Sequence, residues 1–222
     1  MDIKAIKNTI SREIKTKIVG KKTYGSEWKG ADDEWYKKIH DSNYLIHEDF
    51  IRYFNGIKSE IESVLEIGCG TGIYPVKNKQ MFETFQYLGI DISQDAINFC
   101  KKNSPYEFKC EDFIKKDSEE QFDLVFSHAV IDHVYDIDTF LKKIVNTTKK
   151  YAFINSYRGY FPDLKKHKMK WRDDQACYFN DLSIIRIKQV LLDCGLMEEE
   201  FVIRPQDNGR GILQTTIEIT KK

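Results

Sequence analysis

The sequence predicts an α/β protein with a doubly wound, mostly parallel sheet and an N-terminal helical cap. Three observations predict it. Short apolar runs that end in polar residues alternate with helical stretches from residue 61 to residue 222, the rhythm of a sheet covered by helices on both faces. The run Val64-Leu-Glu-Ile-Gly-Cys-Gly-Thr-Gly72 reads as a buried strand that turns through glycines into a helix. The sixty residues before it repeat their apolar positions with helical spacing. A chain of 222 residues suffices for one domain with an adequate core. The expected organisation is a cap over 1–60 and a ligand-binding domain over 61–222, with a lid inserted near 157–181.

The glycine run carries the first chemistry. Gly68 and Gly70 permit positive φ and let a ligand lie against bare main chain, and the helix behind them presents free N–H groups. Such a turn holds a nucleotide-like molecule at the carboxyl end of a strand. The dinucleotide fingerprint needs a third glycine where Ile73 stands, and no lysine follows Gly72 closely enough for a phosphate loop. Glu66, two residues ahead of the first glycine, would repel a pyrophosphate and suits a ligand bearing an ammonium or sulfonium. A second strand, Tyr87-Leu-Gly-Ile-Asp91, ends in an acid able to accept both ribose hydroxyls, and Ser93 can cap the helix behind it. A further buried strand, Phe122-Asp-Leu-Val-Phe126, places Ser127 and His128 at its carboxyl tip.

Glu66-x-Gly68-x-Gly70-x-Gly72 resembles motif I of the class I S-adenosylmethionine-dependent methyltransferases, and an ordered set of motifs over about residues 60–220 is similar to that family. The resemblance implies a seven-stranded Rossmann-like sheet and S-adenosyl-L-methionine as cofactor. It implies that Glu66, Gly68, Cys69, Gly70, Asp91, Ile92, Asp112, Phe113 and Ser127 bind that cofactor. In this scheme Asp112 accepts from the adenine amino group while Phe113 or Ile92 packs on the ring. A solvated acidic turn is an equally good account of Asp112. Asp-Pro-Pro-Tyr-like sequences, which amino-methyltransferases of nucleic acid bases carry after the strand corresponding to Phe122–Phe126, are absent here.

The remaining elements follow from pattern. Tyr151–Ser156 is the fifth strand. An amphipathic helix over Leu182–Cys194 stops at Gly195, and Phe201–Arg204 and Ile212–Ile219 are late strands, the last alternating as an antiparallel strand does. In the cap, Ile3, Ile6, Ile10, Ile14 and Ile18 form one apolar stripe. Trp35, Ile39, Ile46, Phe50, Tyr53 and Ile57 form another, expected to bury. Beside it Tyr36, His40, Tyr44 and His47 make an amphipathic stripe from which Tyr36, His40 and Tyr44 are expected to touch the substrate; ordinary helix packing explains those aromatics equally well. The loop Tyr24–Gly30 is expected to fold over the methionine end of the cofactor. Tyr157 and Arg158, just past the fifth strand, are the other substrate candidates, Arg158 pairing with an anionic group or with Asp163. The stretch on to Asn180 reads as a long functional loop.

With 35 basic and 35 acidic residues, the chain lacks the positive field of a nucleic-acid binder. No apolar run is long enough to span a bilayer, and five scattered cysteines without metal or redox spacing point to a cytoplasmic protein. The expected partner is a small-molecule methyl acceptor, with no nucleic acid and no membrane, for a monomer or homodimer. Methyl transfer to oxygen or nitrogen is an in-line displacement aided by a base. His128 is the leading base, oriented by Asp132 one helical turn on; His133 would face another side in a structural role. No metal is expected, since adjacent Asp132 and His133 cannot both point inward from a regular helix. The competing classes are an NAD-dependent dehydrogenase or epimerase and a non-catalytic module that binds the cofactor.

Overall fold

The computed structural model describes residues 23–26, 28, 34, 37–38, 48–77, 79–116, 119–207 and 211–222. The amphipathic stripes over 3–18 and 35–46, with Tyr36, His40 and Tyr44, therefore lie outside the described residues.

Helix α1 (Glu48–Ile57) leads through a short 3-10 turn into β1 (Ser63–Ile67). Then come α2 (Ile73–Lys77), α3 (Lys79–Phe82), β2 (Gln86–Asp91), α4 (Gln94–Asn103), β3 (Glu107–Cys110) and β4 (Phe122–His128). The chain continues with α5 (Ile137–Thr147), β5 (Thr148–Ser156), β6 (Lys168–Arg172), β7 (Cys177–Asp181), α6 (Ile184–Asp193), β8 (Phe201–Asp207) and β9 (Leu213–Thr220). The seven-stranded sheet has the order β3-β2-β1-β4-β5-β9-β8. Strands β1 to β5 are parallel, while β9 runs antiparallel to both β5 and β8. Strand order reverses between β1 and β4, so the carboxyl ends of those two strands open onto the crevice where such sheets hold ligands.

Strand alternation sorts the core into two layers. Leu65, Ile67, Val125 and Ile154 bury against Phe140, Leu141 and Ile144 of α5 and Ile187, Val190 and Leu191 of α6. Val64, Leu124, Phe126 and Phe153 bury on the other face against Phe50 and Phe54 of α1, Phe82 of α3 and Ile97 of α4. Phe50 stacks on Phe126 with centroids 4.3 Å apart. Serine and aspartate caps set the helix starts: Ser93 accepts from Ala96 N, Asp136 from Thr139 N and Ser183 from Arg186 N.

The segment expected as a long loop is instead largely a two-stranded antiparallel hairpin, β6–β7, in register from Lys168↔Asp181 to Arg172↔Cys177. Its first strand alternates Lys168, Lys170 and Arg172 with Met169 and Trp171. That is strand periodicity on a half-wet surface, with charges where a buried strand would carry apolar side chains. No helix among the described residues is long and apolar enough to cross a membrane.

Candidate active site

A cavity of about 430 Å³ lies at the strand tips, walled by the ends of β1, β2 and β4, the turns after them, and Tyr24, Trp28 and Tyr157. Its floor is the glycine turn. Gly68 has φ +74° and Gly70 φ +51°, conformations that cost an L side chain about 1–2 kcal/mol. A Cβ on Gly68 would also stand 2.2 Å from Val130 Cγ2. The turn is pinned to β2: Gly68 N and Cys69 N donate to Ile90 O at 2.8 and 3.0 Å. Gly70 N donates to Asp91 Oδ2 at 2.9 Å, and Ser93 N donates to Asp91 Oδ1 at 2.8 Å. Asp91 thus braces the turn and still presents a carboxylate edge to the cavity.

Glu66 shares a strand face with Val64 and is buried in the cavity wall, where its Oε2 accepts from the Tyr87 hydroxyl. Burial pushes this carboxyl up to about 8, against the pull of the Tyr87 bond. Asp112 lines the far end. It accepts from Tyr135 Oη at 3.1 Å on each oxygen and from Ile114 N at 3.2 Å, with Phe113 beside it in the wall. Among the described residues lining the cavity, Glu66, Asp91, Glu111 and Asp112 are acidic and none is Lys or Arg.

Of the expected cofactor residues, Glu66, Gly68, Cys69, Gly70, Asp91, Ile92, Asp112 and Phe113 all line this cavity. Ser127 does not: it is fully buried within β4, between Ile67 and Ile154 and on the face opposite Phe126. Strand alternation turns it into the α5/α6 layer. The loop bearing Tyr24 and Trp28 does cover the cavity, but beside Asp91 and Asp112. Trp28 O accepts from Ser93 Oγ at 2.8 Å, Gly25 N donates to Ala176 O at 2.8 Å, and Tyr24 packs on Tyr135 with centroids 5.0 Å apart.

The segment after β4 departs from a helix at once. Ala129, with φ +57°, redirects the chain so that His128, Ala129, Val130 and His133 all line the cavity. The expected pairing of Asp132 with His128 is not formed. Asp132 is buried and accepts from Ser156 Oγ at 2.6 Å, Arg158 N at 3.1 Å and Tyr157 N at 3.4 Å, which ties this turn to the tip of β5. Burial pushes its carboxyl up to about 6 despite those three donors. His128 Nδ1 is instead 3.0 Å from the hydroxyl of Tyr74 on α2.

His133, expected in a structural role, faces the cavity. Its Nδ1 lies 2.8 Å from Tyr178 O, a pure acceptor, so Nδ1 carries the proton and Nε2 the lone pair. Tyr157 Oη, 3.0 Å from Nε2, is then the donor. Burial lowers the His133 pKa, which leaves the ring neutral at pH 7. Arg158 stands outside the cavity wall. It pairs with Asp181 at 2.9 Å, where an anionic substrate group or Asp163 was expected, and lies over Phe179, 4.9 Å from its centroid. Asn180, which the pattern did not single out, holds the site's other side: its Nδ2 donates to Ile131 O and Val134 O at 3.0 and 2.9 Å.

Parallel strands reversing order at β1 and β4, with a glycine turn and acids at the tips, define a Rossmann-like α/β fold, a kind that holds its ligands at such a switch point. Residues 58–196 match the family model described as "Methyltransferase domain", well over half of the chain, and the protein belongs to that family. Two curated relatives share local similarity with it. One is malonyl-[acyl-carrier protein] O-methyltransferase 2 of Ilyobacter polytropus, 31% identical over 119 residues, which cover 47% of this chain and 46% of the relative. The other is pavine N-methyltransferase of Thalictrum flavum subsp. glaucum, 30% identical over 99 residues, covering 42% and 28%. The chain thus matches under half the length of each. The solved structure of the plantazolicin methyltransferase BpumL in complex with SAH superposes with a TM-score of 0.61 at 17% identity, over 89% of this chain and 93% of that one. That likeness is one of fold.

Proposed function

We propose that this protein is an S-adenosylmethionine-dependent methyltransferase that moves a methyl group to an oxygen or nitrogen nucleophile of a small molecule. One observation carries the reading: a cavity at the switch point whose described lining holds four carboxylic acids and neither Lys nor Arg. Such a wall favours a positively charged ligand and opposes a pyrophosphate, which speaks against NAD. The curated relatives, named for O- and for N-methylation, support the class and leave both acceptor atoms open.

The residues present fit the cofactor. Asp91, braced by Gly70 N and Ser93 N, suits the ribose hydroxyls; Asp112, with Ile92 and Phe113 beside it, suits the adenine; Glu66 suits the amino acid end. S-adenosylmethionine supplies the electrophilic methyl on its sulfonium. The chain supplies alignment, exclusion of water and a proton acceptor. We assign that base to His133: the Tyr178 carbonyl holds its tautomer, and its Nε2 lone pair meets the Tyr157 hydroxyl in the cavity wall. An acceptor hydroxyl or ammonium placed there gives its proton to Nε2, and Tyr157 is the side chain it displaces or hydrogen-bonds. Asp132 is a positioning residue for both, through the tip of β5. His128, held by Tyr74, is the alternative base. Arg158, next to Tyr157 in the chain, is paired with Asp181 outside the cavity lining and would have to leave that partner to meet an anionic group of an acceptor. Five free cysteines accord with a cytoplasmic protein.

The cofactor is tested by thermal shift with S-adenosylhomocysteine against NAD; stabilisation by NAD alone overturns the reading. Labelled methyl donor incubated with a metabolite extract then reports transfer. With the acceptor in hand, His133→Gln is expected to lower kcat about 10²- to 10⁴-fold while affinity for S-adenosylhomocysteine stays near wild type. Should His128→Gln instead carry that loss, with His133→Gln silent, the base is His128.

A further inference from the structure

We propose that Glu66 makes capture of the adenosyl amino acid proton-linked: its carboxyl is protonated before the ligand enters and releases that proton to solvent as the ligand's ammonium group arrives. The O–H bond of the acid breaks, water or buffer takes the proton, and the carboxylate left behind pairs with the ammonium. This inference rests on the cofactor assignment above.

Burial raises the pKa of two acids of the cavity, Glu66 and Asp91, which differ in the donors that oppose it. Asp91 accepts from two backbone N–H groups, Gly70 N at 2.9 Å and Ser93 N at 2.8 Å, donors that stabilise a carboxylate. Glu66, 4% exposed where Asp91 is half-buried, has the Tyr87 hydroxyl as its one hydrogen-bond partner among the described residues. Among the described residues, the groups around Glu66 offer no compensating cation. Tyr87 and Asp91 face it from β2 and Cys69 from the glycine turn, while Tyr74 and His128 complete the wall from α2 and β4. Every titratable neighbour among the described residues is therefore an acid, a thiol, a phenol or the imidazole that Tyr74 holds. A lone carboxylate there, beside the charge of Asp91, is opposed by desolvation and by repulsion, so the neutral acid prevails. Burial pushing this carboxyl up to about 8 agrees with that placement. An ammonium group entering the same wall reverses the balance.

Isothermal titration of the full chain with S-adenosylhomocysteine at pH 7, in two buffers of different ionisation enthalpy, reads the protons released. The wild type is expected to release about one proton per ligand, and its affinity to rise up to about tenfold per pH unit below pH 8. Methylthioadenosine, which keeps the nucleoside and lacks the amino acid, is expected to release none. Glu66→Gln is expected to bind S-adenosylhomocysteine with no release and a flat pH profile. Should that variant fail to bind, Tyr87→Phe decides: losing its one donor moves the rising limb of affinity to higher pH while release persists. Release by methylthioadenosine equal to that by S-adenosylhomocysteine, undiminished release in Glu66→Gln, or an unmoved limb in Tyr87→Phe overturns the proposal. Absence of binding by either nucleoside at any pH, with binding of NAD, overturns the cofactor assignment instead.

Discussion

Asp91 illustrates how one side chain serves architecture and binding together. Its carboxylate takes backbone N–H groups from both the glycine turn and the start of α4, so the acid proposed for the ribose is also the brace that holds the turn against β2. Charged hydrogen bonds of this kind contribute roughly 1.5–3 kcal/mol each. Asp91→Ala is therefore expected to weaken S-adenosylhomocysteine binding about 10- to 150-fold, measured by calorimetry; an unchanged affinity overturns its role. This residue was legible in the sequence because strand, acid and cap follow one another within Leu88–Ser93. His133 was not. The role proposed for it depends on a lone pair whose direction is set by a carbonyl 45 residues away in sequence, on Tyr178, and no local pattern encodes that.

At the scale of elements, the turn between β4 and α5 decides which side chains reach the cavity. A helix beginning at His128 would place Asp132 under the imidazole. The structure instead spends a left-handed residue, Ala129, to swing the chain, and Ala129 N donates to Asn155 O at 3.0 Å. A methyl group tolerates φ +57° where a β-branched side chain does not. Ala129→Val is expected to lower stability by about 1–3 kcal/mol in chemical denaturation and to displace His133 from Tyr157. A variant as stable as the wild type would show that the turn is not strained. The hairpin β6–β7 fixes the other side of this turn through Asn180, whose N–H donates to Asp132 O at 2.8 Å and whose side chain takes two further carbonyls. Lysines on alternate positions of β6 hid that hairpin from the pattern, since a strand exposed on one face carries little apolar signal.

For the whole molecule, the buried acid Glu66 also taxes the fold. In the unfolded chain Glu66 ionises from about 4.5, whereas in the folded protein it keeps its proton up to about 8. The folded state therefore binds more protons between those values, and the ligand-free protein loses stability as pH rises through them. The melting temperature of the wild type is expected to fall from pH 5 to pH 8 more steeply than that of Glu66→Gln, whose amide still accepts from Tyr87. Parallel profiles for the two proteins would remove Glu66 as the source. Saturating S-adenosylhomocysteine is expected to flatten the wild-type slope, because the bound ammonium stabilises the ionised form.

The sequence by itself determined the alternation of strands and helices, the glycine turn at Gly68–Gly70, the acids at Glu66, Asp91 and Asp112, and hence the class of ligand. Those features are written in neighbouring residues, because burial periodicity and turn chemistry act over a few positions. Only the tertiary structure decided that Ser127 turns away into the α5/α6 layer and that Asp132 binds the tip of β5. It likewise decided that His128 goes to Tyr74 and His133 to Tyr157. Each of those outcomes pairs groups far apart in sequence, whose meeting depends on how strand order and a single left-handed turn bring distant segments to one edge of the sheet.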